Sequence, residues 1–103
     1  MASRKISWTK EANIERKEIL EFWIDNNKSK TYSIKLNKLF IKSLKQLAEN
    51  PMIGRETDLK NVRVKNVRNY LVFYEFSSVQ IKVLSVWDGR RNDTTKKDFL
   101  DLE

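Results

Sequence analysis

The fold is decided by residues 70–87, which read YLVFYEFSSVQIKVLSVW. Residues 70–76 form an apolar and aromatic run with Glu75 as its single charged residue, which is typical of a central strand covered on both faces. Ser77-Ser78 gives a short turn, and residues 79–87 then indicate a second strand. The two strands predict an antiparallel hairpin, and Asp88-Gly89 is expected to end its second strand.

A third strand is predicted just before this hairpin. Residues 62–65 alternate strictly between apolar and basic side chains. We therefore expect Val62 and Val64 to face a core and Arg63 and Lys65 to face the other way. The second half of the chain thus predicts a three-stranded antiparallel sheet.

The first half of the chain predicts a short strand and two helices. Residues 5–8 indicate the strand, and Thr9 is suited to cap the N-terminus of a first helix that ends at Asn26-Asn27. A second helix is expected to end at Asn50-Pro51, because proline cannot continue a helix. Apolar residues at helical spacing mark the inner faces: Ala12, Ile19, Leu20 and Trp23 on the first helix, and Tyr32, Leu36, Leu39, Phe40, Leu44 and Leu47 on the second.

These elements predict one α+β domain over residues 1–103, with an antiparallel sheet packed on a helix hairpin. We expect the first strand to join the edge of the sheet. The tail from Asp93 to Leu102 is compatible with one more short helix. Four glutamates of the first helix are expected on its solvated face: Glu11, Glu15, Glu18 and Glu21.

The composition excludes several kinds of site. The 103 residues include no His and no Cys, so zinc sites built from these residues, thiol nucleophiles and Ser-His pairs are ruled out. With 40% apolar residues the chain has material for a core, and we expect no metal, cofactor or disulfide. It has no apolar run long enough to span a membrane and no apolar signal core, so we expect a cytoplasmic protein without membrane partners.

Positive charge is concentrated in the middle of the chain. The net charge is +7, and residues 28–91 hold fourteen basic against five acidic side chains. This excess favours an acidic partner. On the second helix, four lysines lie close together without a compensating carboxylate, and either an acidic partner or a solvated face accounts for them: Lys35, Lys38, Lys42 and Lys45.

Four pieces of the chain, in this order and spacing, resemble the RelE/ParE superfamily of bacterial type II toxin–antitoxin toxins over residues 5–92. The pieces are Ile6-Ser7-Trp8-Thr9 with Ala12, Asn50-Pro51 with Gly54, residues 67–75, and residues 86–92. The resemblance implies a cytoplasmic toxin encoded beside an antitoxin, which wraps the toxin with an acidic, partly disordered segment.

The resemblance leaves two mechanisms open. ParE-like members inhibit DNA gyrase, whereas RelE-like members are ribosome-dependent mRNA endonucleases. This chain departs from the nuclease pattern in three ways: it has no His, its last tyrosine is Tyr74 inside a strand, and Leu71 follows Tyr70 where RelE-like members carry an arginine. We therefore predict a ParE-like gyrase inhibitor. The alternatives are an mRNA endonuclease, which would be metal-independent, and a degenerate nucleic-acid-binding domain.

The candidate site is basic. Five residues on adjacent strands and the following loop are predicted to line one surface that binds phosphate or an acidic partner. Arginine can form bidentate hydrogen bonds with either a phosphate or a carboxylate. The five residues are also the catalytic candidates if the chain is a nuclease: Arg63, Lys65, Arg68, Arg90 and Arg91. Trp87, at the end of a strand beside Arg90, is the aromatic residue best placed for an exposed contact. The alternative for Arg90 and Arg91 is that they pair with Asp88 or Glu75 and hold the C-terminal loop.

Overall fold

The computed structural model describes residues 4–89. In chain order its elements are β1 (Lys5–Trp8), α1 (Lys10–Asn27), α2 (Thr31–Glu49), a 3-10 helix (Pro51–Ile53), β2 (Arg55–Glu56), β3 (Arg63–Val67), β4 (Tyr70–Phe76) and β5 (Gln80–Asp88). The predictions for Arg90, Arg91 and a C-terminal helix lie outside the described residues.

The strands form one sheet in the order β1-β5-β4-β3-β2. β1 runs parallel to β5 at one edge, and the remaining pairs are antiparallel. The α+β fold is confirmed, with the first strand at the sheet edge as predicted. The sheet is larger than predicted because β2 adds a fifth strand. With two residues, β2 is too short to produce an alternating pattern in the sequence.

The helix boundaries follow the predicted signals. The Thr9 hydroxyl accepts a hydrogen bond from the Ala12 amide at 3.1 Å and so caps α1. The same hydroxyl donates to the Leu84 carbonyl at 3.1 Å, which ties the start of α1 to β5. α1 ends at Asn27, and α2 ends just before Asn50-Pro51. Between residues 4 and 89, no helix is long and apolar enough to cross a bilayer.

Apolar side chains cover both faces of β4, as its apolar run predicts. The main core lies between the sheet and the two helices, and its largest fully buried side chains are Tyr74, Phe40, Leu36, Leu47, Ile81, Val72 and Val83. A smaller second core covers the opposite face and contains Val62, Val64, Leu71 and Phe73, with Leu59, Leu84 and Trp87 packed against it.

The alternation predicted for β3 is present, but it separates two cores. Val62 and Val64 point into the second core, away from the helices. Arg63 and Lys65 share the helix-covered face, because their cross-strand partners Tyr74 and Val72 belong to the main core. Strict alternation shows that the valines and the basic residues lie on opposite faces of the sheet, but it does not show which face the helices cover.

Glu15 corrects the expectation of a fully solvated glutamate face on α1. Its carboxylate accepts hydrogen bonds from the Ser85 hydroxyl at 2.8 Å and from the Val86 amide at 2.9 Å. Ser85 and Val86 follow a register shift between β4 and β5, at which Leu84 has no cross-strand partner. A bulge of this kind disrupts the ladder locally, and Glu15 satisfies an amide there.

Candidate functional site

Arg63 is held by the segment that leads into β2. Its Nη1 donates to the Gly54 carbonyl at 2.6 Å, and its Nη2 lies 3.3 Å from the Glu56 carboxylate. Only 14% of the Arg63 side chain is exposed. Arg63 therefore fastens this segment to β3, and little of its guanidinium surface is open to a ligand.

Tyr74 forms the buried end of the same arrangement. Its hydroxyl donates to the Pro51 carbonyl at 2.7 Å and accepts from the Gly54 amide at 3.0 Å. A side chain at Gly54 would collide with this hydroxyl, which explains the glycine. Burial raises the pKa of Tyr74 above its ordinary value of 10.0, although the Gly54 amide and the Arg63 charge act in the opposite direction. The hydroxyl thus keeps its proton and links β4 to the 3-10 helix.

Lys65 lies two residues after Arg63 on the same face of β3. It is half-buried, and it lines a narrow space beneath α2 together with Trp8, Phe40 and Leu44. Its aliphatic stem is thus among apolar groups, an arrangement in which lysine keeps its ammonium towards water. Arg63 and Lys65 are the two predicted site residues that the structure places side by side on one face.

Trp87 is on the other face of the sheet. It pairs with Leu71 across β4 and β5, and its ring lies edge-to-face on Phe73, with 5.0 Å between the ring centres. Trp87 therefore packs against the second core, and the sheet separates it from Arg63 and Lys65. Trp87 and the basic pair of β3 thus lie on opposite faces of the sheet, whereas Arg90, beside which Trp87 is predicted to make its contact, lies outside the described residues.

Arg68 lies at one end of the sheet. It is the first residue of the two-residue turn between β3 and β4, where Val67 pairs with Tyr70, and it is exposed. The Gly89 amide donates to the Asn69 carbonyl at 2.6 Å, so β5 leaves the sheet beside this turn. The binding roles of Arg63, Lys65, Arg68 and Trp87 stay predictions, as do those of Arg90 and Arg91.

An aromatic cluster near the Arg68 turn was not predicted as part of a site. The Trp23 indole N–H donates to the Tyr70 hydroxyl at 2.7 Å, and the Trp23 ring lies edge-to-face on Tyr32 and on Phe22. Trp23 and Tyr32 belong to the predicted apolar stripes, but Phe22 lies outside its stripe and is 54% exposed. An aromatic residue off the buried stripe is the signal that could have identified this surface.

The outer face of α2 carries the four lysines on which the charge prediction depends. Lys35, Lys38, Lys42 and Lys45 are all exposed. Two isoleucines interleave with them and are also exposed, Ile34 at 53% and Ile41 at 38%. We call these six residues the α2 face. It combines positive charge with apolar surface, which suits an acidic amphipathic partner.

A groove of about 510 Å³ lies at the opposite end of β3 from the Arg68 turn. It is lined by Met52, Glu56, Thr57, Leu59, Lys60, Asn61, Val62, Arg63 and Phe76. Arg63 lines this groove but is already bonded to Gly54 and Glu56, so its guanidinium offers little to a ligand there.

Comparison with known proteins identifies the family. The family model described as "ParE toxin of type II toxin-antitoxin system, parDE" matches residues 6–93. The chain belongs to this ParE toxin family. The predicted membership of the RelE/ParE superfamily is therefore confirmed.

A solved structure shows the same fold for this ParE-family toxin. A chain of the chromosomal ParDE toxin–antitoxin system from P. aeruginosa superposes with a TM-score of 0.71 at 16% identity, over 84% of this chain and 96% of that one. A chain of the E. coli DinJ-YafQ toxin–antitoxin complex is similar with a TM-score of 0.49 at 11% identity, over 84% of this chain and 93% of that one. None of the curated protein sequences compared with the chain matches it.

Proposed function

We propose that this ParE-family toxin inhibits DNA gyrase by binding it, without cleaving RNA, and that an acidic antitoxin neutralises the toxin in the cytoplasm. The observation that carries the proposal is the position of the Tyr74 hydroxyl, which is buried and bonded to Pro51 and Gly54.

RNA cleavage by attack of the 2′-OH calls for groups that move protons. The chain has no His and three tyrosines, all within residues 4–89. Tyr74 is fully buried, Tyr70 is buried and accepts the Trp23 bond, and Tyr32 packs edge-to-face on Trp23. These positions support a toxin that acts by binding.

Leu71 also supports a binding mechanism. It stands where RelE-like members carry an arginine, and here it is 9% exposed and belongs to the second core with Phe73. The position therefore contributes packing energy, whereas a nuclease would need a cation near the reacting phosphate.

The antitoxin is proposed to cover the α2 face. An acidic segment would pair with the lysines there, and its apolar side chains would cover Ile34 and Ile41. A segment that folds on binding can cover such an extended surface. The positive central part of the chain also favours rapid association with an acidic partner.

One observation favours the mRNA endonuclease as a second candidate. Arg63 and Lys65 lie two residues apart on one face of β3, which is the arrangement of basic residues on a central strand that the RelE-like resemblance implies. The cations could stabilise the charge of a reacting phosphate.

Inducible expression in bacteria with pulse labelling tests the proposal. We expect DNA synthesis to stop before protein synthesis, and a variant with both Arg63→Ala and Lys65→Ala to remain toxic if it folds. Circular dichroism of the purified variant checks its folding. Early loss of protein synthesis that the double variant abolishes would instead identify the nuclease, and normal growth with both chains would identify a degenerate domain.

A further inference from the structure

Two long basic residues occupy backbone conformations that favour glycine. Lys28 has φ 53° and Arg68 has φ 57°, whereas neither Gly54 nor Gly89 has a positive φ. A side chain with a Cβ is strained in this region, and glycine is not. The chain thus carries lysine and arginine at two positions where glycine would be less strained.

Each position is a tight turn. Lys28 ends α1, and its amide donates to the Ile24 carbonyl, a helix end at which glycine is the common residue. Arg68 is the first residue of the two-residue turn between β3 and β4. Hairpin turns with a positive φ at that residue favour glycine, asparagine or aspartate there. Neither basic side chain is therefore explained by its turn.

The two turns lie at the same end of the molecule. Trp23 of α1 and Tyr70 of β4 are joined by a hydrogen bond of 2.7 Å. Lys28 follows Trp23 by five residues, a rise of about 7.5 Å along a helix, and Arg68 precedes Tyr70 by two. Both basic side chains are exposed.

The exposed ring near this end of α1 is Phe22, which packs edge-to-face on Trp23. We call Lys28, Arg68 and Phe22 the turn surface. Arginine and aromatic residues dominate the binding energy of protein interfaces. Stacking of successive nucleic-acid bases uses a series of exposed aromatic side chains, whereas Phe22 is the one exposed ring of the turn surface. The chemistry favours the carboxylates of a protein over the bases of a nucleic acid.

We propose that the turn surface binds an acidic patch of DNA gyrase, an inference that rests on the proposed function and assigns its contact residues. Lys28 and Arg68 then make favourable contacts in the complex with gyrase, and these contacts explain why the two strained turns carry basic residues in place of glycine. Inhibition of gyrase should accordingly weaken at high salt, because exposed charges are screened.

The test uses glycine variants of the full chain, Lys28→Gly and Arg68→Gly, in a supercoiling assay with purified gyrase. Both variants relieve strain, so each should melt roughly 3–6 °C above the wild type. Each should need about tenfold more protein to inhibit gyrase, since it loses a charged contact at the interface. Arg68→Lys keeps the charge, and its inhibition of gyrase should be intermediate between that of the wild type and that of Arg68→Gly.

Lys17→Ala is the matched control, because it removes one positive charge from an exposed position on α1 outside the turn surface. It should inhibit gyrase like the wild type. Glycine variants that melt higher but inhibit equally well would overturn the inference while leaving the proposed function intact. Glycine variants that melt no higher would also overturn it, since the strain would be absent.

Failure of the proposed function gives a different result. A wild-type chain that leaves gyrase active would overturn the proposed function and the inference together. Binding of a single-stranded RNA or DNA oligonucleotide by the wild type, lost in the glycine variants, would overturn the inference by assigning the turn surface to nucleic acid.

Discussion

At the scale of single residues, the Tyr74 hydroxyl makes the clearest structural contribution. Tyr74→Phe should lower the free energy of unfolding by about 1–3 kcal/mol, because the Pro51 carbonyl and the Gly54 amide lose their partner in a buried place. Urea unfolding measures the change. Tyr32→Phe is the control, since none of the hydrogen bonds seen among residues 4–89 involves its hydroxyl. Equal stability of Tyr74→Phe and the wild type would contradict this role.

The same residue predicts a pH dependence. Burial raises the pKa of Tyr74 in the folded chain above its ordinary value of 10.0. Above that value the unfolded chain releases the proton while the folded chain retains it. The contribution of the Tyr74 hydroxyl to the free energy of unfolding is therefore complete below about pH 10, and it is lost as the pH rises through the folded pKa. The stability gap between the wild type and Tyr74→Phe should therefore shrink as the pH rises above about 10 in urea titrations. A constant gap would argue against the raised pKa.

At the scale of elements, Glu15 joins α1 to the bulge of β5. Glu15→Ala removes the acceptor of the Ser85 hydroxyl and the Val86 amide, so the free energy of unfolding should fall by about 1–3 kcal/mol. Glu18→Ala changes an exposed glutamate of the same helix and should stay within about 0.5 kcal/mol of the wild type. Thermal unfolding measures both variants. Similar losses in the free energy of unfolding would show that the Glu15 contacts contribute little to stability.

Elements whose signals are local were predictable from the sequence. The hairpin of β4 and β5 follows from residues 70–87, α1 begins at the Thr9 cap, and α2 stops before Pro51. Each signal lies within the element or next to it. The contacts that depend on distant parts of the chain were missed: the carboxylate of Glu15 meets a bulge 70 residues further on, which no pattern in α1 reveals.

The candidate site was predicted less completely than the fold, for a related reason. Alternation correctly placed Arg63 and Lys65 together on β3. It could not show that Arg63 bonds to Gly54 and Glu56, because these contacts depend on the path of the chain after α2. It also could not show that a second core would separate Trp87 from the basic residues.

At the scale of the whole molecule, the positive charge and exposed apolar residues of the α2 face predict how the antitoxin binds. The double variant Lys38→Glu, Lys42→Glu should weaken binding of the cognate antitoxin at least tenfold, because like charges then meet across the interface. The control Lys10→Glu, Lys17→Glu makes the same charge change on α1. Isothermal titration calorimetry at low salt compares them, and equal losses would mean that net charge, and not the α2 face, governs binding.

The central claim is that this ParE-family toxin acts on gyrase and leaves RNA intact. The most direct measurement places the purified chain in two parallel reactions, supercoiling by purified gyrase and translation of a defined mRNA by purified ribosomes. We expect supercoiling to fall as the toxin concentration rises while the mRNA stays full-length. Cleavage of ribosome-bound mRNA with gyrase fully active would contradict the account.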